Sequence, residues 1–229
     1  MPGTGTALWL ERPSLEYQHA FDLCAVHVHR SSGPVAVLAS SPFYARELLK
    51  RLDGVEAQLV PIGGWGASAG DIGTLLGPEL ELPESQALRP AELEAKAAVW
   101  ATPDGKSAQQ VLDRIGPMLP PGGKLYVIAA GWLARFLPEW KADDGLRSER
   151  RLGLRRTTGW LRQAGFIIEA QYGFHGPSST LWGLAARLMA RLGRVGWSDR
   201  CHFRMRAEYV VGGWQAIWTP VSVSVARRQ

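Results

Sequence analysis

The chain has 229 residues, 46% of them apolar and 21% charged, with a formal net charge of +5. That is enough apolar material for a sizeable core, and it excludes a disordered or low-complexity chain. Only Cys24 and Cys201 are present, which excludes a disulfide framework and a cysteine-built metal site.

The opening, MPGTGTALWLERPSLEYQ, has no basic segment followed by an apolar one, so it does not read as a signal peptide. No apolar run approaches the ~18 residues of a membrane span, and the expectation is a soluble, cytoplasmic protein. Residues 1–33 read as a lead-in, with a helix or strand around Tyr17 to His29, and residues 34–229 as an α/β domain. Val35 to Ala39 (VAVLA) is an apolar run of the kind that forms a buried parallel strand. Ser40 or Ser41 can cap the helix that follows, Pro42 suits its first turn, and Asp53-Gly54 stops it. Val55 to Ile62 completes a βαβ unit.

Gly63 to Pro90 is rich in glycine and reads as loop, and Lys96 to Thr102 as a further strand. Between Val111 and Leu119 apolar residues recur at helical spacing. Pro120-Pro121 end that helix, and Gly122-Gly123 turn the chain into the strand Leu125 to Ala130. A helix over Arg147 to Ala164, a strand over Phe166 to Tyr172 and a helix over Ser178 to Leu192 follow. Phe203 to Val211 and Ala216 to Ala226 read as an antiparallel hairpin around Gly212-Gly213. Alternating strands and helices with such an ending predict one doubly wound α/β domain with a mostly parallel sheet.

The Pro-Pro-Gly-Gly turn before Leu125, and the stretch TTGWLRQAGFIIEAQYGFHGPSS with its Trp-Leu-Arg-x-Ala-Gly-Phe helix end, resemble class I S-adenosylmethionine-dependent methyltransferases. The strand spacing from residue 35 to 225 is similar to that family's. The resemblance implies a Rossmann-like sheet of the seven-stranded type whose last strand is antiparallel. It also implies a glycine-rich loop after the first strand and an acidic residue at the end of the second, which hold the cofactor. Here the first strand runs into Ala39-Ser40-Ser41-Pro42-Phe43, and the second ends in Val60-Pro61-Ile62. Ala39, Ser40 and Ser41 are therefore candidates for an atypical cofactor loop. Gly63, Gly64 and Gly66 are the other candidates, with Asp71, Glu79, Glu81 or Glu84 as the acid. Gly64 and Pro121 are only 57 positions apart, too few for the elements that normally intervene, so a surface loop is the simpler reading.

His175, after the sixth strand of the resemblance, is a candidate general base; Gly176-Pro177 and the Ser178-Ser179 pair beside it read equally as a turn and helix cap. His27 and His29 would share a face of a strand, with His19 nearby, but a zinc site needs a third or fourth ligand that spacing does not offer. Arginines cluster at Arg147 to Arg162 and again at Arg187, Arg191, Arg194, Arg200, Arg204 and Arg206. No nucleic-acid motif accompanies them, so nucleic acid is not the expected partner. Trp182 and Trp197 flank the second cluster. With Arg187, Arg191 and Arg194 they form the candidate surface for a protein partner.

The expectation is a methyltransferase-fold protein with a degenerate cofactor site and no cofactor, acting as a non-catalytic accessory or scaffold subunit. The alternative is an active enzyme using S-adenosylmethionine on a small molecule. A weaker alternative is a module that binds RNA or an acidic partner.

Overall fold

The computed structural model describes residues 14–31, 33–39, 42–61, 95–101, 108–131, 133–134 and 153–229. Helix α1 (Leu15–His29) is followed by β1 (Val35–Ala39), α2 (Pro42–Arg51) and β2 (Ala57–Pro61). Then come β3 (Ala97–Ala101), α3 (Ala108–Met118), β4 (Lys124–Ala130), α4 (Leu154–Gln163) and β5 (Phe166–Phe174). The chain continues with α5 (Pro177–Arg191), α6 (Val195–Ala207), β6 (Val210–Gly212), a 3-10 helix (Gly213–Trp218) and β7 (Val221–Arg228).

These strands make one seven-stranded sheet in the order β2-β1-β3-β4-β7-β5-β6. The first four are mutually parallel; β7 lies antiparallel between β4 and β5, and β6 lies antiparallel on the outer side of β5. The central strands are buried on both faces because their sequences (VAVLA, AAVWA, KLYVIAA) carry apolar side chains at both parities.

Alternate residues feed two cores. Val35, Val37, Val99, Tyr126 and Ile128 face α1 and α2, whereas Leu38, Trp100, Leu125 and Val127 face α3 and α4. In α1 the residues Tyr17, Phe21, Cys24 and Val28 recur at spacings of three and four and are fully buried. In α3 the same arrangement presents Val111, Leu112, Ile115 and Met118 to the sheet. Gly122, at φ 84, makes the reversal into β4.

Two expectations are corrected. Tyr17 to His29 is a helix, so His27 and His29 stand about 200° apart around its axis rather than on one strand face. Phe203 to Val211 does not pair with the last strand. Residues 195–207 (VGWSDRCHFRMRA) are helical, and only Val210–Gly212 forms a strand. Arg, Met and Ala there favour a helix, and the segment lacks the alternation a paired strand needs. The antiparallel partner of β7 is β5, with α5, α6 and β6 inserted between them. Residues 213–218 form a 3-10 helix, so β7 begins at Val221 rather than Ala216. Of the described residues, no helix is long and apolar enough to cross a membrane.

Candidate functional site

In an open α/β sheet, ligands bind beyond the carboxyl ends of the parallel strands. That edge is formed here by Ala39, Ala101, Ala130 and, because β5 runs parallel to β4, by Phe174. Helix α1 runs across one face of the sheet and brings its first turns to the same edge, where the Tyr17 ring packs tilted against Tyr44 of α2 at 4.9 Å, with Phe21 5.9 Å from Tyr44. Tyr44 stands in the first turn of the helix that follows β1 and is buried. Ala39 is buried, and neither β1 (VAVLA) nor β2 (AQLVP) contains a carboxylate. The described residues at this turn thus offer no glycine for close backbone approach and no acid for ribose hydroxyls. Ser40, Ser41, Gly63, Gly64 and Gly66 lie outside the described residues.

A polar cluster occupies the β5 end of the edge. His175 follows β5 directly with φ 60, a left-handed conformation that costs a side-chain-bearing residue energy unless its surroundings hold it. Two contacts hold it. Its backbone N–H donates to the carbonyl of Tyr209 at 2.8 Å, and its Nδ1 lies 3.4 Å from the Ser179 hydroxyl. The Tyr209 ring lies 5.4 Å from His175 and 4.9 Å from His19 of α1. Its phenol oxygen is buried without a hydrogen-bond partner among the described residues. Burial, reinforced by the nearby Glu16 carboxylate, pushes the Tyr209 hydroxyl well above the usual phenol range, so it stays protonated. A neutral phenol between two imidazoles can donate a hydrogen bond and relay a proton.

Sequence reading singles out His175 but misses Tyr209 and Glu16, and it considers His19 only as a metal ligand. These residues come from positions 16–19, 175–179 and 209, and no local spacing signals their meeting. The other two histidines are separate. His27 packs on Tyr126 at 5.8 Å, and His29 Nε2 lies 3.1 Å from the Arg51 carbonyl, to which it can donate. Among the described residues no group of His, Cys, Asp and Glu could hold a metal.

The candidate interaction residues sit on α5, α6 and the turn between them. Trp197 and the side chains of Arg187, Arg191 and Arg194 are exposed. Trp182 is half-buried and donates its indole N–H to Glu208 at 3.3 Å, with Arg204 over its ring at 6.0 Å.

The sheet order, with its antiparallel β7 between β4 and β5, can be compared with solved structures. The glycopeptide N-methyltransferase MtfA, solved with S-adenosylmethionine, aligns over 93% of this chain and 94% of its own at TM-score 0.52 and 14% identity. A SAM-dependent methyltransferase from Thermotoga maritima, described as a possible histamine N-methyltransferase, aligns over 97% and 94% at TM-score 0.51 and 11% identity. This is a class I methyltransferase-like fold. The cyclase SpnF shares it over 92% of this chain and 81% of its own, at TM-score 0.52 and 13% identity. The methyltransferase-like chain spans 56% of the length of an O-methyltransferase family protein from Burkholderia thailandensis. No family model and no curated protein matches the sequence.

Proposed function

We propose that this methyltransferase-fold chain does not use S-adenosylmethionine in the family's manner and serves as a non-catalytic accessory or scaffold protein, recruited through the α5–α6 region. The observation that carries this reading is the turn after β1. It has no glycine between Val35 and Tyr44, and Tyr44 itself is committed to packing on Tyr17 and Phe21. A fold outlasts its chemistry because the core that stabilises it is separate from the loops that bind ligands. Calorimetric titration of the full chain with S-adenosylmethionine should detect no binding tighter than about 1 mM. A micromolar dissociation constant would restore the enzyme.

One observation favours that second reading, an active methyltransferase on a small molecule. The cluster of Glu16, His19, His175 and Tyr209 supplies groups able to bind and deprotonate a polar substrate at the correct edge of the sheet. The same titration separates the two readings, since this cluster acts in methyl transfer only if the cofactor binds.

A further inference from the structure

Two carboxylates are buried among the described residues, and the fold treats them differently. Glu47 lies between Arg46 at 3.5 Å and Arg51 at 3.1 Å, so its charge is answered within the fold. Glu16, only 9% exposed in the first turn of α1, has neither a hydrogen bond nor an ion pair among the described residues. The positive end of the helix dipole favours an acid there but supplies no counter-ion. A buried charge without a partner is costly, and proteins retain such groups where binding needs them.

Glu16 does not stand alone. Its carboxylate is close enough to Tyr209 to help keep that hydroxyl protonated, and the hydroxyl is likewise buried without a partner among the described residues. His19, three positions after Glu16 and therefore its neighbour on the helix surface, puts its ring 4.9 Å from that of Tyr209 and 6.4 Å from the nearly parallel ring of Phe174. His175 completes the group 5.4 Å from Tyr209. His19 is exposed and His175 half-buried, so the cluster opens to solvent at His19, with Glu16 its most deeply placed polar member.

The chemistry of these groups selects an occupant. The carboxylate repels an anion and calls for a positive charge. A metal ion is not that charge, because among the described residues no group of His, Cys, Asp and Glu could hold one. A protonated amine fits. Its N–H groups can donate to the carboxylate, to the phenol oxygen and to an unprotonated ring nitrogen, while its charge and its carbon skeleton lie against aromatic faces that attract a cation.

We infer that Glu16, His19, His175 and Tyr209 form a binding site for a small organic ammonium ion, its charge on Glu16 and its carbon skeleton against the rings of Tyr209 and His19. The site is the one on which the second reading above rests, but amine binding does not require methyl transfer. A chain that ignores S-adenosylmethionine can still bind the amine.

Titration of the full chain with benzylammonium, butylammonium, benzyl alcohol and benzoate, read at the imidazole C–H signals by NMR, tests it. S-adenosylmethionine is left out, so failure of amine binding and failure of cofactor binding are separate outcomes. Both ammonium ions should bind at about 1 mM or tighter and at least ~tenfold more tightly than the alcohol or the benzoate. They should shift the His19 and His175 signals and leave that of His29 unchanged. Glu16→Gln should weaken ammonium binding at least ~tenfold and raise the urea midpoint of the free chain, since an amide is less costly to bury unpaired than a charge. Tyr209→Phe keeps the ring, removes the hydroxyl and should weaken binding about threefold. No ammonium binding below about 10 mM, equal affinity for benzyl alcohol or benzoate, or unchanged affinity in Glu16→Gln overturns the inference. So does a fall in the urea midpoint of Glu16→Gln, which would make the carboxylate a structural group. Binding of Nα-acetyl-lysine amide at least ~tenfold tighter than either free amine would also overturn it, by assigning the site to a lysine of a partner chain.

Discussion

Among the described residues Trp100 is the largest fully buried side chain; it packs between the sheet and α3, and its indole N–H finds no acceptor among them. It therefore stabilises by volume and contact while its polar edge opposes burial. Trp100→Ala is expected to cost about 3–5 kcal/mol in urea unfolding. Trp100→Phe keeps most of the ring and removes the unpaired donor, so its cost should stay below about 1.5 kcal/mol. A cost for phenylalanine well above that limit would show that the indole N–H is hydrogen-bonded. His175 presents the opposite case, a side chain whose place is set by its backbone. Gly176-Pro177 in the sequence announces a turn, and nothing there announces that the residue before it adopts φ 60.

Helix α1 couples the lead-in to the sheet, and its pH response follows from what surrounds its last turns. His27 is held below its ordinary value of 6.5, chiefly by burial and then by the positive charges of Arg30 and Lys124. The fold therefore prefers the neutral ring, while the unfolded chain takes up a proton near 6.5. This contribution is fully present above that pH and is lost as pH falls below it. Urea midpoints measured from pH 7.5 to 5.5, a range of about two units around the imidazole value, should decline. His27→Gln should flatten the decline, and an unchanged slope would exclude His27 as its source.

Helices and strands differed in how readily the sequence revealed them. β1, β3 and β4 were legible as short apolar runs bounded by Pro and Gly, because strands buried on both faces admit little else. α6 was not, since a helix that packs on a single neighbour keeps only Ser198, Cys201 and part of Met205 on its inner side. That leaves no periodic signal strong enough to compete with a strand reading. The polar cluster was illegible for another reason: Glu16 and Tyr209 meet through tertiary packing alone, which leaves no pattern in either neighbourhood.

β7 has the most consequential position in the molecule. It joins β4 through the register Lys124↔Arg227 to Ala130↔Val221, and β5 from Phe166↔Arg228 to Phe174↔Val221. Gly131 and Gly173 accommodate the approach to it: a Cβ on Gly131 would collide with the Thr219 carbonyl, and one on Gly173 would lie 2.5 Å from the Thr219 hydroxyl. A chain ending at Pro220 should therefore lose cooperative urea unfolding altogether, because β5 and β6 have no other strand to join. Retention of a single sharp transition by that truncation would contradict this. On the ribosome, the same placement means that the parallel half of the sheet waits with an open edge at β4 while nearly a hundred further residues are translated. At about 5–20 residues per second that exposure lasts several seconds. During that time β4 is a template for any passing strand, so nascent chains of this protein depend on shielding of that edge until the closing strand arrives.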